Sequence, residues 1–236
     1  MLQGLRVGVV IPALNEERSI ALVMADIPSW VDQIVVADNG STDATAVVAE
    51  TAGALVVREP ERGYGAACQT GIKHLSDVDI VVFIDGDYSD FPSEMDLLVA
   101  PIVNRAADLV IGSRVLGNAE RGALAPQQKF GNWLACWLIR RLYKVTYTDL
   151  GPFRAVRAAS LAELQMRDRN YGWTVEMQIK AARSGLSIAE VPVSYRRRIG
   201  VSKVSGTLKG SVLAGVTILS VIGRSFFRPA PVGTLP

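Results

Sequence analysis

Four short apolar runs mark the first third of the chain: residues 7–11 (VGVVI), 34–37 (IVVA), 55–57 (LVV) and 80–84 (IVVFI). They are apolar at successive positions rather than alternate ones, the pattern of strands buried on both faces of a sheet. Each ends near a turn signal: Pro12, Asp38-Asn39-Gly40, Pro60 and Asp85-Gly86-Asp87. Between them, residues 16–26, 44–51 and 64–74 predict helices, with Ser41 and Asp43 placed to cap the second. Strand–helix alternation of this kind gives an α/β fold with a parallel sheet and right-handed crossovers. Ligands of such sheets sit beyond the carboxyl ends of the strands, where these polar clusters fall.

The second half is less regular. Residues 109–112 predict another strand, ending at Ser113-Arg114, and 129–143 a helix that mixes Phe130, Trp133 and Trp137 with Arg140 and Arg141. FRAVR follows Gly151-Pro152, 174–184 predicts a helix, and 188–195 a strand closed by Arg196-Arg197-Arg198. No interior linker divides the chain. The expected organisation is a catalytic domain over 1–205, an apolar or amphipathic helix over 206–228 and a disordered, proline-rich tail over 229–236. The longest membrane-like run, 211–223, is shorter than the roughly 20 residues a spanning helix needs. The N-terminus lacks the basic start and long apolar core of a signal peptide, so the expectation is a cytoplasmic protein.

Composition narrows the chemistry. The 236 residues fit one domain with a short appendage. Two distant cysteines (Cys68 and Cys136) and one histidine (His74) exclude a disulfide scaffold, a zinc cluster and a histidine-based triad. The net charge of +2 conceals a division: residues 1–120 hold 18 Asp+Glu against 7 Lys+Arg, and residues 121–236 hold 5 against 18. An acidic half suits a metal ion, and a basic half suits phosphates or an anionic membrane. Nucleic acid is the other polyanion, but the chain carries none of its recognition motifs.

The sharpest clue is Asp85-Gly86-Asp87 at the end of the most apolar run. In an extended segment, residues two apart project to one side, so both carboxylates face one point. Glycine between them admits a close ligand. Two carboxylates with positions left open for phosphate oxygens is how Mg²⁺ or Mn²⁺ is ordinarily held. The cluster 38–43 (DNGSTD) reads equally well as a turn with a helix cap or as a nucleoside contact through Asp38. In PALNE, Glu16 is either part of a helix start or a ribose contact. ERGYG at 61–65 lacks the lysine and spacing of a phosphate loop, which argues against an ATPase or dehydrogenase.

PALNEE, ADNGSTDAT, ERGYGAACQTG, FIDGDYSD, IGSR and RRIGVSK occur in the order found in family 2 glycosyltransferases. Over about residues 5–210 the chain resembles the dolichyl-phosphate mannose and glucose synthase branch of that family. The resemblance implies the GT-A fold, a Rossmann-like, mostly parallel sheet flanked by helices, here with a C-terminal helical appendage. It implies a nucleotide-sugar bound by Pro12, Ala13, Asn15, Glu16, Asp38, Gly40, Gly63, Asp85, Gly86 and Arg114. Asp85 and Asp87 would carry the divalent metal, Mg²⁺ or Mn²⁺. Arg197 and Lys203 of the R-x-x-G-x-S-K segment would meet phosphates, with Ser202 and Arg154 as candidates for the acceptor phosphate. Arg154 is alternatively an ion-pair partner of Asp149.

The implied reaction moves a hexose from a UDP- or GDP-sugar, with inversion, to a polyprenyl phosphate at the inner face of the cell membrane. Metal and preorganised cations would stabilise the charge that grows on the leaving diphosphate. A phosphate acceptor is already an anion. A hydroxyl acceptor, soluble or carbohydrate, would need a base, for which Asp90, Asp149 and Glu176 are candidates; Glu176 reads equally as an ordinary helix residue. Where that branch has D-A-D-L-Q this chain has D-G-D-Y-S-D, so Ser89 or Asp90 stands in for the third metal contact. The helices over 129–144 and 208–227 are candidates for a membrane interface, against the plain alternative of core helices. Two further classes are disfavoured. A nucleotidyltransferase would want a basic glycine-rich loop after the first strand, and a nucleotide-sugar-binding regulator would show a broken metal or phosphate set.

Overall fold

The structure, a computed structural model, describes residues 2–200 and 208–227. The apolar runs become β1 (Val7–Ala13), β2 (Gln33–Asp38), β3 (Leu55–Arg58) and β4 (Ile80–Phe83), all parallel. Their successive side chains point to opposite faces, and both faces of the central strands β1 and β4 are covered, which is why their runs are apolar; β3, at the sheet edge, leaves Leu55 exposed. Val7, Val9, Ile11, Ile80 and Val82 pack beneath α1 (Ile20–Asp26), α2 (Thr45–Thr51) and α4 (Met95–Val103). Val10, Val81 and Phe83 join a second core. That core lies under α3 (Tyr64–Lys73), α5 (Pro126–Tyr143), α6 (Ala158–Leu164) and α7 (Trp173–Arg183). Gly71 lets α3 lie against β1: a Cβ there would stand 2.4 Å from the Val10 side chain.

The sheet continues through β5 (Leu109–Ser113), β6 (Arg154–Arg157) and β7 (Ile188–Pro192) in the order β3-β2-β1-β4-β6-β5-β7. FRAVR thus supplies β6, which runs antiparallel to both β4 and β5, while β7 is parallel to β5. The sheet is mostly parallel, as expected, with one reversed strand wedged into its middle. Two expected boundaries move. The first helix starts at Ile20, because residues 16–19 form a turn in which Ser19 N–H and Ile20 N–H both donate to the Glu16 carbonyl. The last strand ends at Pro192, though Tyr195 still bridges to Asp90 and Ala119.

The expected caps of α2 divide. Asp43 accepts from the Thr45 N–H, whereas the Ser41 hydroxyl is turned to the Asn15 N–H. The last helix, α8 (Leu208–Phe227), lies on α5 and α7: Ile222 is buried and its carbonyl accepts from Tyr143 Oη at 2.6 Å. No helix among the described residues is long and apolar enough to cross a membrane. The tail over 229–236 lies outside the described residues.

Candidate active site

The carboxyl ends of β1 and β4 and the start of α3 enclose a cleft of about 280 Å³. Pro12, Ala13, Glu16, Gly63 and the Asp85-Gly86-Asp87 turn line it, so seven of the expected residues come together. Asp85 accepts from Tyr64 Oη at 3.1 Å. Burial raises the pKa of the Asp85 carboxyl above its ordinary value, against the opposing pull of Arg198 and the Tyr64 hydroxyl. Asp87 Oδ1 accepts from the Ser89 N–H (2.9 Å) and hydroxyl (2.6 Å), which fixes the carboxylate's rotation. Its Oδ2 is ion-paired with Arg198.

The remaining donor-side residues stand one layer behind. Asp38 accepts from the Ser41 N–H at 3.0 Å, and Asn15 joins loop 41–42 through the Thr42 N–H and the Ser41 hydroxyl. Gly40, at φ 80°, faces the Arg62 guanidinium across about 3.5 Å from where a Cβ would sit. Asn39, absent from the expected set, lines the cleft and accepts from the Gly63 N–H at 2.8 Å.

A second, wider recess of about 700 Å³ runs along α5. Arg114 and Asp149 form its inner end, Trp133 and Trp137 its apolar wall, and Lys129 and Arg140 add cations. Arg114 grips Asp149 bidentately at 2.7 and 2.8 Å and lies 5.0 Å from the Tyr195 ring. Burial works against the Arg114 charge, but Asp149 outweighs it and the guanidinium pKa rises. Asp90 is buried nearby with neither carboxylate oxygen hydrogen-bonded; burial and the neighbouring Asp85 push its pKa up to about 8. On α5, Phe130, Trp133 and Trp137 are 62%, 59% and 47% exposed. These aromatics therefore face outward and do not form core.

Three expected residues lie elsewhere. Glu176 is buried in neither recess; its carboxylate accepts from the Arg167 and Asp168 N–H groups and pairs with Lys180 at 2.8 Å. It braces the segment whose Asn170 and Tyr171 wall the donor cleft. That segment runs so close to α3 that a Cβ on Gly63 or Gly65 would stand about 2 Å from the Arg169 or Asp168 carbonyl. Arg154 is wholly buried and donates to the Thr174, Leu150 and Gly151 carbonyls; burial lowers its pKa to about 10. These hydrogen bonds all go to carbonyls, and Asp149 is taken by Arg114. Arg197 turns away from the cleft and donates to the Arg121 carbonyl at 2.8 Å. Ser202 and Lys203 lie outside the described residues.

The model of glycosyl transferase family 2 matches residues 8–164. The chain belongs to that family. It is 39% identical over 221 residues to an uncharacterized glycosyltransferase of Mycobacterium tuberculosis, covering 93% of this chain and 99% of that one. An undecaprenyl-phosphate mannosyltransferase of Micrococcus luteus is 30% identical over 235 residues, covering 93% and 96%. Among solved structures, glucosyl-3-phosphoglycerate synthase of Mycobacterium tuberculosis, in complex with Mn²⁺, UDP and glucosyl-3-phosphoglycerate, superposes with a TM-score of 0.75. That pair is 26% identical, covering 96% of this chain and 81% of that one. The protein is a glycosyltransferase with the GT-A fold.

The donor set of this glycosyltransferase suits a hard divalent cation. Two carboxylates share one turn at the end of β4, and Glu16 adds a third charge on the same cleft. Among the described residues no three acidic, histidine or cysteine side chains stand close enough to cage an ion by themselves. Mg²⁺ and Mn²⁺ do not require such a cage, because substrate phosphates complete their coordination.

Proposed function

We propose that this family 2 glycosyltransferase is metal-dependent and inverting. It would move a hexose from a UDP-glucose- or GDP-mannose-type donor to a polyprenyl phosphate at the cytoplasmic face of the membrane. The observation that carries this reading is the presence of two recesses of opposite character, the second lined by Arg114, whose charge also acts on Asp85 of the first. One is an acidic cleft for a nucleoside diphosphate with its metal; the other is a cationic groove with a tryptophan wall, suited to a phosphate with an apolar chain. Asp85 and Asp87 would hold Mg²⁺ or Mn²⁺, which when bound supplies electrophilic stabilisation of the leaving diphosphate.

The three candidate bases favour an acceptor that is already an anion. Asp149 is committed to Arg114, Glu176 to backbone N–H groups, and Asp90 is sealed from solvent. A hydroxyl nucleophile would find none of them free to take its proton, whereas a phosphate oxygen needs no base. The exposed aromatics of α5, beside Arg140 and Arg141, have the make-up of an interfacial helix on an anionic surface. The polyprenyl-phosphate relative points the same way. A second reading, a small soluble phosphorylated acceptor, is favoured by the likeness to glucosyl-3-phosphoglycerate synthase.

Calorimetric binding of UDP-glucose, GDP-mannose and the free diphosphates, with Mn²⁺ or Mg²⁺ and with EDTA, tests the donor half. Metal-dependent binding to one nucleotide, lost in Asp87→Ala, is expected. Folded protein that binds none of them would overturn the reading.

A further inference from the structure

The basic triplet after β7 is stitched to the metal-type turn. Arg196 N–H donates to the Ser89 carbonyl (2.9 Å) and Ile199 N–H to the Asp87 carbonyl (3.0 Å), so residues 196–199 run alongside 87–90. In an extended segment alternate side chains share a side. Arg196 and Arg198 therefore face the turn and Arg197 faces away. Arg196 is a fixed anchor. Its guanidinium carbon lies 3.4 Å from the Tyr88 ring centroid and 4.0 Å from that of Phe91, and it donates to the Tyr88 and Asp90 carbonyls. Arg198 is held less tightly. Its side chain keeps 29% of its surface exposed while it caps Asp87, which keeps 3%.

Asp87 has one oxygen to offer a ligand. Oδ1 is spent on Ser89, and Oδ2 is where Arg198 pairs. Arg114 is locked on Asp149 and Arg196 on the Tyr88 ring and the Tyr88 and Asp90 carbonyls, so neither can replace it, and Arg62, on the same cleft, has its guanidinium beside Gly40. Resting on the metal-dependent reading above, we propose that Arg198 and the divalent cation compete for Asp87 Oδ2, and that the donor diphosphate resolves the competition by accepting Arg198. Two cations on one carboxylate repel each other. A diphosphate beside them supplies enough negative charge to hold both, the metal on Asp87 and the guanidinium on a phosphate oxygen. Metal and nucleotide then bind cooperatively, and the coupling is reciprocal. Arg198 thus becomes a catalytic residue of the leaving group, a place the R-x-x-G-x-S-K spacing gives to Arg197.

The test is Mn²⁺ binding to the full chain, followed by calorimetry and by electron paramagnetic resonance of the free ion. It is run alone and with saturating UDP or GDP, on the wild type, Arg198→Ala and Arg198→Gln, with circular dichroism as the check on folding. Without nucleotide, both variants should bind Mn²⁺ at least fivefold more tightly than the wild type. The factor by which the diphosphate strengthens Mn²⁺ binding should fall at least fivefold. Mn²⁺ affinities within twofold of wild type in a folded variant, or weaker, would overturn the competition while leaving the metal-dependent reading intact. Mn²⁺ that binds neither wild type nor variant, even with UDP and GDP present, would overturn that reading and the competition with it.

Discussion

Around the donor cleft each important carboxylate is fixed by a nearby donor: Asp38 by the Ser41 backbone, Asp85 by Tyr64, Asp87 by Ser89. The groove along α5 is built from other materials. Two large indoles, both exposed, form its wall, and lysine and arginine side chains supply its charge. The cleft spends buried hydrogen bonds to hold like charges together, which is useful only if a cation arrives to balance them. The groove holds apolar surface and positive charge side by side at the protein's exterior, a combination that suits the amphiphilic anion of the proposed function. Arg114 and its partner Asp149 line the groove, and the Arg114 charge reaches Asp85 in the cleft. On the proposed function, donor and acceptor would be recognised by opposite physics, one by preorganised polarity and the other by area and net charge.

The most severe way to break the contrast is Asp87→Ala. It should lower transfer at least 10³-fold, since the variant would lose both the proposed metal contact and the partner of Arg198, with the fold retained by circular dichroism. Next comes the Arg114–Asp149 pair. Arg114→Met leaves Asp149 buried without its counter-charge and should cost about 3–5 kcal/mol of stability, read as a fall in Tm. A Tm within a degree of wild type would show that the pair is not structural. Within the donor half, Gly71→Ala forces a methyl into Val10 and should cost about 1–3 kcal/mol by denaturant unfolding.

On the groove side, Trp133→Ala with Trp137→Ala should raise KM for a long-chain polyprenyl phosphate by about tenfold, the scale of losing buried aromatic area. Donor affinity measured by calorimetry should stay within twofold. An equal loss on both sides would dissolve the distinction between the recesses.

The smallest effect is a pH dependence behind the cleft. Glu59 accepts from the Thr70 hydroxyl and the Glu61 N–H, and those bonds hold its carboxyl below the usual range. A lowered acid contributes stability above its unfolded pKa and loses it as pH falls through its folded one. Between about pH 5 and pH 3 the wild type should therefore lose more stability than Thr70→Val, by about 1 kcal/mol or less. Parallel melting curves for the two proteins would contradict this.

Much of this was legible in the residues, for physical reasons that differ by region. The central parallel strands announced themselves because burial on both faces demands an unbroken apolar run; β3 showed the same run although it lies at the edge with Leu55 exposed. β6 did not, because four residues (RAVR) with an arginine at each end carry too little pattern to reveal a reversed strand. α4 was readable but unread: Met95, Leu98, Val99 and Ile102 have helical spacing and are all buried. The Asp85–Asp87 turn was found because glycine between carboxylates at a strand end is a local signal. Glu176 misled because a lone acid on a helix says nothing about which backbone it will brace, and the Asn170–Tyr171 wall arrives through long-range packing on Gly63 and Gly65. Arg198 could not have been preferred to Arg197 from the sequence alone. The period of two in an extended segment places it on the side of Arg196, but which side faces the site needed the ladder to residues 87–89.

The central claim is that the α5 groove delivers an anionic lipid to a metal-loaded donor cleft. The most direct test incubates the protein with Mn²⁺ or Mg²⁺ and radiolabelled UDP-glucose or GDP-mannose. The acceptors are a C55 polyprenyl phosphate in detergent or, separately, 3-phosphoglycerate. Label that passes into the organic phase with the lipid phosphate, and stays in the donor when EDTA is added, is the predicted result. Label transferred to 3-phosphoglycerate and not to the lipid would contradict the account.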